Sequence, residues 1–348
     1  MQKSENVPIK EYTTMGIGGE VAHLVRIKTK EEIPEAVAFA KEKNMPFVVL
    51  GEGSNSVFRD ATLNAVVLKI EIPGFEIVKE NDDSTEIKIG AGENWDKAVK
   101  RAVEMDLSGI EAMSAIPGTA GATPFQNVGA YGQEIKNVIE AVEVYDVQNS
   151  SFAFLSNKEC KFDYRDSIFR SSEKGRYIIT SIILKLSKFP PTMPHYPGVR
   201  KYFESTSPQP SPSQEREQPT LREIRQAIIE IRANKLPDPK LVKNNGSFFK
   251  NPIVGNAVAE KLKEQFPNVT IFPSGENMSK IPAGWLIEQA GLKGKDFGEM
   301  KVYENNALVL VNKGNATFAD LENAKNEIVK TVQNKFGITL EPEPMFVE

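Results

Sequence analysis

Two glycine-rich segments concentrate the capacity of this sequence to hold an anion. The first, Gly51-Glu52-Gly53-Ser54-Asn55-Ser56, follows the apolar run Phe47-Val48-Val49-Leu50. Glycine lets backbone N–H groups crowd around an anion, and Ser and Asn add side-chain donors, so a strand running into such a loop can hold phosphate oxygens. Taken alone it reads rather as a tight turn. It is not a G-x-G-x-x-G fingerprint, because Ser56 stands at the third glycine and no apolar helix follows at once. The second segment runs Ile116-Pro117-Gly118-Thr119-Ala120-Gly121-Ala122-Thr123-Pro124-Phe125-Gln126-Asn127-Val128-Gly129-Ala130-Tyr131-Gly132. Its four glycines, with Thr119, Thr123, Gln126 and Asn127, form an irregular stretch too apolar for a floppy linker, which suggests backbone laid against a ligand. A structural Ω-loop is the alternative, but two separated amide-rich loops in one domain suit a diphosphate-bearing cofactor better.

The remaining chemistry is narrowed by what the chain lacks. One Cys (Cys160) and two His (His23, His195) in 348 residues are too few for zinc or iron-sulfur sites, so no metal is expected. Cys160 has no His near it in sequence to activate it and reads as a buried or partly buried thiol. His23 reads as a strand residue and His195, in the Pro-rich stretch Pro190 to Pro197, as a solvated loop residue. Proton transfer therefore falls on Ser, Glu, Asp, Lys or Tyr. A net charge of -4, from 43 Lys plus Arg against 47 Asp plus Glu, supplies no basic footprint, so nucleic acid is not an expected partner. No run approaches bilayer length and the N-terminus lacks the apolar core of a secretory signal, so a cytoplasmic protein with no membrane partner is expected.

The elements that must position these residues alternate in type. Val21 to Ile27, Glu31 to Lys43 and Met45 to Leu50 read as a β-α-β beginning, followed by further strands, several too alternating to be buried on both faces. A mixed α+β fold is expected. Eight of the 22 prolines fall between Pro190 and Pro219, around a run that cannot build a core, which marks a boundary and an insertion over Ser205 to Pro219. Thr220-Leu221-Arg222-Glu223 is a capping box, and Ile224, Ala227, Ile228 and Ile231 recur at helical spacing, so a helix opening a second domain is predicted there. Further helices are predicted over 257–266, 284–290 and 317–336, the last ended by Gly337.

The motif set is more specific than either loop. Thr14-Met15-Gly16-Ile17-Gly18-Gly19, Gly51 to Ser56, Ile116 to Gly132, Tyr164-Arg165-Asp166-Ser167, Gly246-Ser247-Phe248-Phe249-Lys250-Asn251-Pro252, Ala283-Gly284-Trp285-Leu286-Ile287-Glu288-Gln289 and Leu340-Glu341-Pro342-Glu343 occur in this order. Together they resemble the UDP-N-acetylenolpyruvoylglucosamine reductase family, in its longer type with a tyrosine loop that closes over substrate.

That resemblance implies non-covalently held FAD in a two-lobed region of the vanillyl-alcohol-oxidase type, spanning residues 1–190 and joined by the C-terminal segment 338–348. A separate α+β substrate-binding domain would span 220–337, with the Pro-rich loop and insertion over 191–219. It implies that NADPH reduces the flavin and that the enolpyruvyl ether of UDP-N-acetylglucosamine is then reduced to UDP-N-acetylmuramate in peptidoglycan precursor synthesis, by a monomer. By the same resemblance Gly51, Gly53, Ser54, Asn55, Ser56, Pro117, Gly118, Thr119, Gly121, Thr123, Gln126, Asn127, Gly129 and Tyr131 would hold the cofactor. Arg165 would be the catalytic cation, Ser247 the proton donor and Glu343 the acidic partner near the substrate carboxylate. Tyr164, Tyr196, Lys235, Asn251 and Gln289 would line the substrate.

The chemistry asks for these residue types. An enol ether is electron-rich, so hydride addition needs the adjacent carboxylate polarised by a fixed cation as charge develops at the α carbon. A hydroxyl is a poor acid in water and needs a neighbouring donor or cation, for which Lys250 is a candidate. Without the resemblance, Arg165 reads as a surface charge among Lys161, Asp163 and Asp166, Ser247 as a turn residue beside Gly246, Glu343 as part of a solvated tail and Lys235 as a helix C-terminal cation. One departure stands out: Met345 occupies the place where the family usually carries Arg after Leu-Glu-Pro-Glu, which removes a cation expected near the flavin. Two other classes share the glycine loops. One is a flavin oxidase of a small alcohol or lactone on the same scaffold, the other a non-catalytic flavin or nucleotide sensor.

Overall fold

A computed structural model describes residues 1–194, 196–206 and 218–347. His195 and residues 207–217 of the expected insertion lie outside the described residues. The chain forms two packing units, each assembled from separated stretches. The first comprises Met1–Val7, Val21–Glu52 and Asn64–Ala233, the second Pro8–Glu20, Gly53–Leu63 and Asn234–Glu348.

The first unit holds two sheets. One has the strand order Gln2–Pro8, Glu20–Ile27, Leu63–Ile70, Phe47–Leu50. The expected β-α-β beginning is present, with helix Glu32–Glu42 between its strands, but Leu63–Ile70 inserts between them and pairs in parallel with Phe47–Leu50. Burial explains the order. Ala65, Val66, Val67 and Leu68 are all buried, as a central strand covered on both faces requires, whereas Val49 is 41% exposed and suits an edge. The second sheet is antiparallel, in the order Ser151–Ser156, Ile139–Asp146, Tyr177–Ser187, Ser84–Gly90, Phe75–Glu80. Its outer strands are largely exposed. One apolar core joins the elements of this unit around Trp95, Ile89 and Ile182, and helix Trp95–Glu104 is fixed at its start by the Asn94 side chain accepting from the Lys97 amide.

Glu143 lies inside this unit as a buried charge. Its carboxylate accepts from Lys30 at 2.6 Å, Lys88 at 2.9 Å and Ser181 at 2.8 Å. Burial pushes its pKa up, but those hydrogen bonds outweigh burial and bring it from 4.5 to about 2. A depressed carboxyl stabilises the fold above its unfolded pKa and loses that contribution as pH falls through the folded one. Glu143→Gln is therefore expected to lower stability by about 2 kcal/mol at pH 7. In urea titrations the gap from the parent protein should shrink as pH falls from about 4.5 towards 2. A gap that stays constant over that window would show that the charge contributes nothing.

Helix Leu221–Lys235 starts with the predicted capping box, Thr220 and Glu223 bonding each other's amides. It does not open the second unit, however, and the division falls after Ala233. Its apolar stripe Ile224, Ile228 and Ile231 packs with Ala112 and Val199, and Arg225 grips Asp96 in a two-pronged pair at 2.7 and 3.0 Å. The proline-rich composition marks where a core is interrupted, whereas the partner of the helix's apolar stripe is a matter of packing.

The second unit is built on a sheet in the order Lys243–Ser247, Val309–Asn312, Met300–Val302, Asp296–Phe297, with a small three-stranded sheet and helices Asn256–Gln265, Ala283–Gln289 and Phe318–Phe336. Thr317 and Asp320 cap the last helix reciprocally, and Gly337 ends it in the left-handed conformation, φ 67°. Trp285 packs against Phe266 and Phe336 within an apolar core that includes Phe248, Phe249, Leu286 and Leu321. Strand Met345–Val347 pairs in parallel with Ser56–Phe58, so the C-terminal segment belongs to this unit. The fold is α+β. Among the described residues, no helix is long and apolar enough to cross a membrane.

Candidate active site

In the first unit the two glycine segments meet directly. The Glu52 carboxylate accepts from the Gly118 amide at 2.8 Å, and a Cβ on Gly51 would lie 2.7 Å from Thr119 Oγ1. Lys69 donates to the Gly51 carbonyl from beneath, and burial lowers its pKa against the pull of Glu71 and Glu52. Sequence reasoning assigned roles to neither Glu52 nor Lys69. The available signal was an acidic residue between two loop glycines.

The rest of the second segment divides between exposed backbone and framework. Gly121 donates to Ala91 at 2.9 Å, and Thr123 bonds back to the Ala120 carbonyl at 2.7 Å. Asn127, expected against the cofactor, is instead a framework residue. It is 0% exposed, its Nδ2 donates to Glu134 and to the Asp163 carbonyl at 2.9 Å each, and its Oδ1 accepts from the Lys136 amide. Its amide is committed to holding the loop's shape. Gln126 accepts from Arg170 at 3.1 Å. Pro117 is exposed and Gly118 buried.

Asn127 leads to Arg165. Asp163 and Asp166 bond each other's backbones across a tight turn with Tyr164 and Arg165 at its tip, and Ser167 donates to the Phe125 carbonyl at 2.7 Å. Arg165 takes a left-handed conformation, φ 55°, and its guanidinium donates to the Gly129 carbonyl at 2.9 Å while lying over the Tyr164 ring. It is half-buried and fixed against the second glycine segment, and is not a free surface charge.

Tyr131 makes an edge-on contact with Tyr196, with ring centroids 5.0 Å apart. The Tyr196 carbonyl accepts the first amides of helix Pro197–Thr206, which fixes its backbone while its side chain stays 38% exposed. Behind the pair, the Tyr131 hydroxyl is bonded by Arg232, whose Nε also donates to the Ala115 carbonyl at 3.2 Å. Burial raises the Tyr131 pKa and lowers that of Arg232. Arg232 is a further residue the sequence did not single out; it lies three positions before Lys235 on the same helix.

In the second unit Ser247 and Glu343, 96 residues apart, come together with the end of the first loop. The Glu343 amide donates to the Phe248 carbonyl at 2.8 Å, Phe249 bridges Pro342, and the Lys250 amide donates to Glu341 at 2.9 Å. Asn55 donates to the Glu343 carbonyl at 3.4 Å and accepts from the Met345 amide at 2.9 Å. Ser56 lies opposite Met345 in the parallel pair. The Pro-Glu-Pro-Met segment is thus no solvated tail but a strand entry that fixes Glu343 beside the residue after Ser247. Met345 spends its backbone on that pairing. Lys250 is ion-paired with Glu341 at 3.6 Å.

Of the remaining expected substrate residues, Asn251 and Gln289 have structural partners. Asn251 Oδ1 accepts from the Ala283 amide at 2.9 Å, capping helix Ala283–Gln289. Gln289 ends that helix, exposed, with its carbonyl bonded by Lys335. Lys235 is exposed at the end of its helix. Cys160 is fully buried, and burial, with the Glu159 charge, pushes its pKa to about 12. Only about one thiol in ten thousand is then ionised at pH 8. Iodoacetamide should leave Cys160 unmodified in the native protein and alkylate it fully in urea; rapid native labelling would contradict its burial.

The chain matches known proteins over its length. Residues 21–151 match an FAD binding domain, and residues 238–347 match the UDP-N-acetylenolpyruvoylglucosamine reductase C-terminal domain. It is 39% identical to the UDP-N-acetylenolpyruvoylglucosamine reductase of Flavobacterium johnsoniae, covering 99% of both chains. It is 37% identical to that of Pseudomonas aeruginosa, covering 99% of this chain and 98% of the other. The crystal structure of the corresponding reductase from Thermus caldophilus superposes with a TM-score of 0.67 at 24% identity, covering 100% of this chain and 98% of the other, a likeness of fold. Full-length identity of this order, together with both domain matches, leaves one conclusion: the chain belongs to the UDP-N-acetylenolpyruvoylglucosamine reductase family.

Proposed function

We propose that this chain is the NADPH-dependent flavoenzyme of that family, which reduces the enolpyruvyl ether of UDP-N-acetylglucosamine to UDP-N-acetylmuramate. The observation that carries the reading is the fixing of Glu343 beside the strand of Ser247 and against Asn55 of the first glycine loop, all within one unit. A bystander tail has no reason to be held there.

The loops fit FAD on their own geometry. At Gly51 there is no room for a side chain against Thr119, so bare backbone is presented, and a buried amide oxygen on Asn245 beside Ser54 has no partner in the protein. Backbone and side chains of Gly51 to Ser56 and of Pro117 to Gly121, with Gly129 and Tyr131, would hold the dinucleotide. When bound, FAD supplies a hydride, obtained from NADPH, to the substrate carbon β to the carboxylate.

The chain's own residues do the rest. Arg165, with its guanidinium oriented by the Gly129 carbonyl, draws charge into the substrate carboxylate as the α carbon becomes electron-rich. Glu343 binds the same end of the substrate. The Ser247 hydroxyl delivers the proton to the α carbon, completing the addition of one hydride and one proton across the double bond. Tyr196, Tyr164, Lys235, Asn251 and Gln289 hold the nucleotide-sugar, Tyr196 with its ring braced by Tyr131. The reading places the protein in the cytoplasm as a monomer, with small molecules as its partners.

The decisive experiment is anaerobic. The FAD-loaded protein is reduced with NADPH and mixed with the enolpyruvyl sugar nucleotide. Reoxidation of the flavin with formation of the lactyl ether is expected, and flavin that stays reduced over unchanged sugar would overturn the reading. Oxygen consumption with a small alcohol would favour an oxidase instead.

A further inference from the structure

The strand carrying Ser247 is not regular. Its pairing with Val309–Asn312 shifts register between Asn244 and Ser247. Asn244 locks the bulge, accepting from the Gly246 amide at 2.7 Å and donating to the Val242 and Pro237 carbonyls. Gly246 takes φ 69° to complete it. The bulge turns the Asn245 side chain onto the first glycine loop, where Nδ2 donates to the Ser54 carbonyl at 2.9 Å and approaches Thr14 Oγ1 at 3.4 Å.

A carbonyl oxygen can only accept, so the nitrogen end of the amide is fixed towards Ser54 and the oxygen end points the other way. That oxygen is buried and has no partner in the protein. A buried acceptor without a donor is costly, and such atoms persist where a ligand completes them. The sign of the group restricts the ligand atom. An amide oxygen repels phosphate oxygens, so the atom it meets is an N–H or O–H. Among the groups of FAD these are the flavin imide, the sugar and ribityl hydroxyls and the adenine amine.

We propose that Asn245 is a cofactor-binding residue whose Oδ1 accepts a hydrogen bond from an N–H or O–H of bound FAD, while its Nδ2 holds the Ser54 carbonyl in place. This rests on the FAD reading above. Because Asn245 lies two residues before Ser247, the contact ties the seat of the cofactor to the strand of the proton donor.

The test measures affinity, not turnover. The full-length protein, stripped of flavin, is titrated calorimetrically with FAD, FMN and ADP, alongside Asn245→Leu and Thr14→Val. Asn245→Leu should weaken FAD about tenfold, the loss expected for one buried hydrogen bond. Thr14→Val removes the bond that the Thr14 hydroxyl donates to the Ser54 carbonyl at 3.2 Å, together with the weak contact from Asn245 Nδ2, and leaves Oδ1 untouched, so it should change FAD affinity by less than about twofold. A matching loss for FMN places the donor on the flavin half, and for ADP on the adenosine half; either supports the proposal. Unchanged FAD affinity in Asn245→Leu overturns it, as does an equal loss in Thr14→Val, which would make anchoring of the loop the whole effect. A parent protein that binds no FAD at all would overturn the functional reading together with this one.

Discussion

Ser247→Ala is expected to leave reduction of the flavin by NADPH within about twofold of the parent rate and to slow its reoxidation by substrate about a thousandfold. The two half-reactions separate because only the second needs a proton at carbon. The backbone around Ser247 is held independently of its hydroxyl. Residue 247 lies opposite Val309, the next amide donates to Leu308 at 2.7 Å, and Asn244 maintains the bulge before it. Removing one oxygen therefore deletes the proposed proton source and leaves the strand in place. Stopped-flow absorbance of the flavin follows both steps in one sample. Equal slowing of the two half-reactions would assign Ser247 a structural role and leave the proton donor unidentified.

Gly53→Ala is expected to yield protein without bound flavin and with stability lowered by about 3 kcal/mol, from a left-handed backbone and a steric clash acting together. Gly53 is buried at φ 72°, and an added Cβ would lie 2.0 Å from the Tyr12 carbonyl oxygen. Backbone, unlike a flexible side chain, cannot swing aside. The loop would have to leave Tyr12 and break the bond from the Thr14 amide to the Gly53 carbonyl at 3.2 Å, carrying Ser54 and Asn55 with it. Gly255→Ala is the control. Gly255 has φ -61° and open space around its Cα, so the change should cost less than about 1 kcal/mol and retain the flavin. Flavin content by absorbance and urea midpoints compare the two, and full flavin occupancy in Gly53→Ala would mean that the loop does not need its close approach to Tyr12.

Particular residues show how far the sequence reached and where it stopped. The caps Thr220 with Glu223 and Thr317 with Asp320, and the stop at Gly337, were legible because a cap is a bargain between residues three or four apart. The two glycine segments were legible as loops that approach something closely. The roles proposed for Arg165, Ser247 and Glu343 rest on the resemblance, since by their neighbours alone they read as a surface charge, a turn and a tail. Asn127 was expected against the cofactor and its side chain holds its own loop, because an amide in a glycine-rich loop has the same appearance in either role. Glu52, Lys69, Arg232 and Asn245 went unassigned because their contacts are made with residues distant in sequence.

The sequence by itself determined the helices with their caps, the mixed α+β composition, the two close-approach loops and the family to which the motifs belong, since each is written in short-range pattern. Only the tertiary structure decided that Leu63–Ile70 would enter the first sheet between two earlier strands, that helix Leu221–Lys235 would pack with the first unit, and that Met345–Val347 would lie parallel to Ser56–Phe58. Those outcomes depend on backbone amides and apolar faces finding partners from about twenty to nearly three hundred residues away, and a strand edge or a helix stripe carries in its own residues no mark of which partner it will meet.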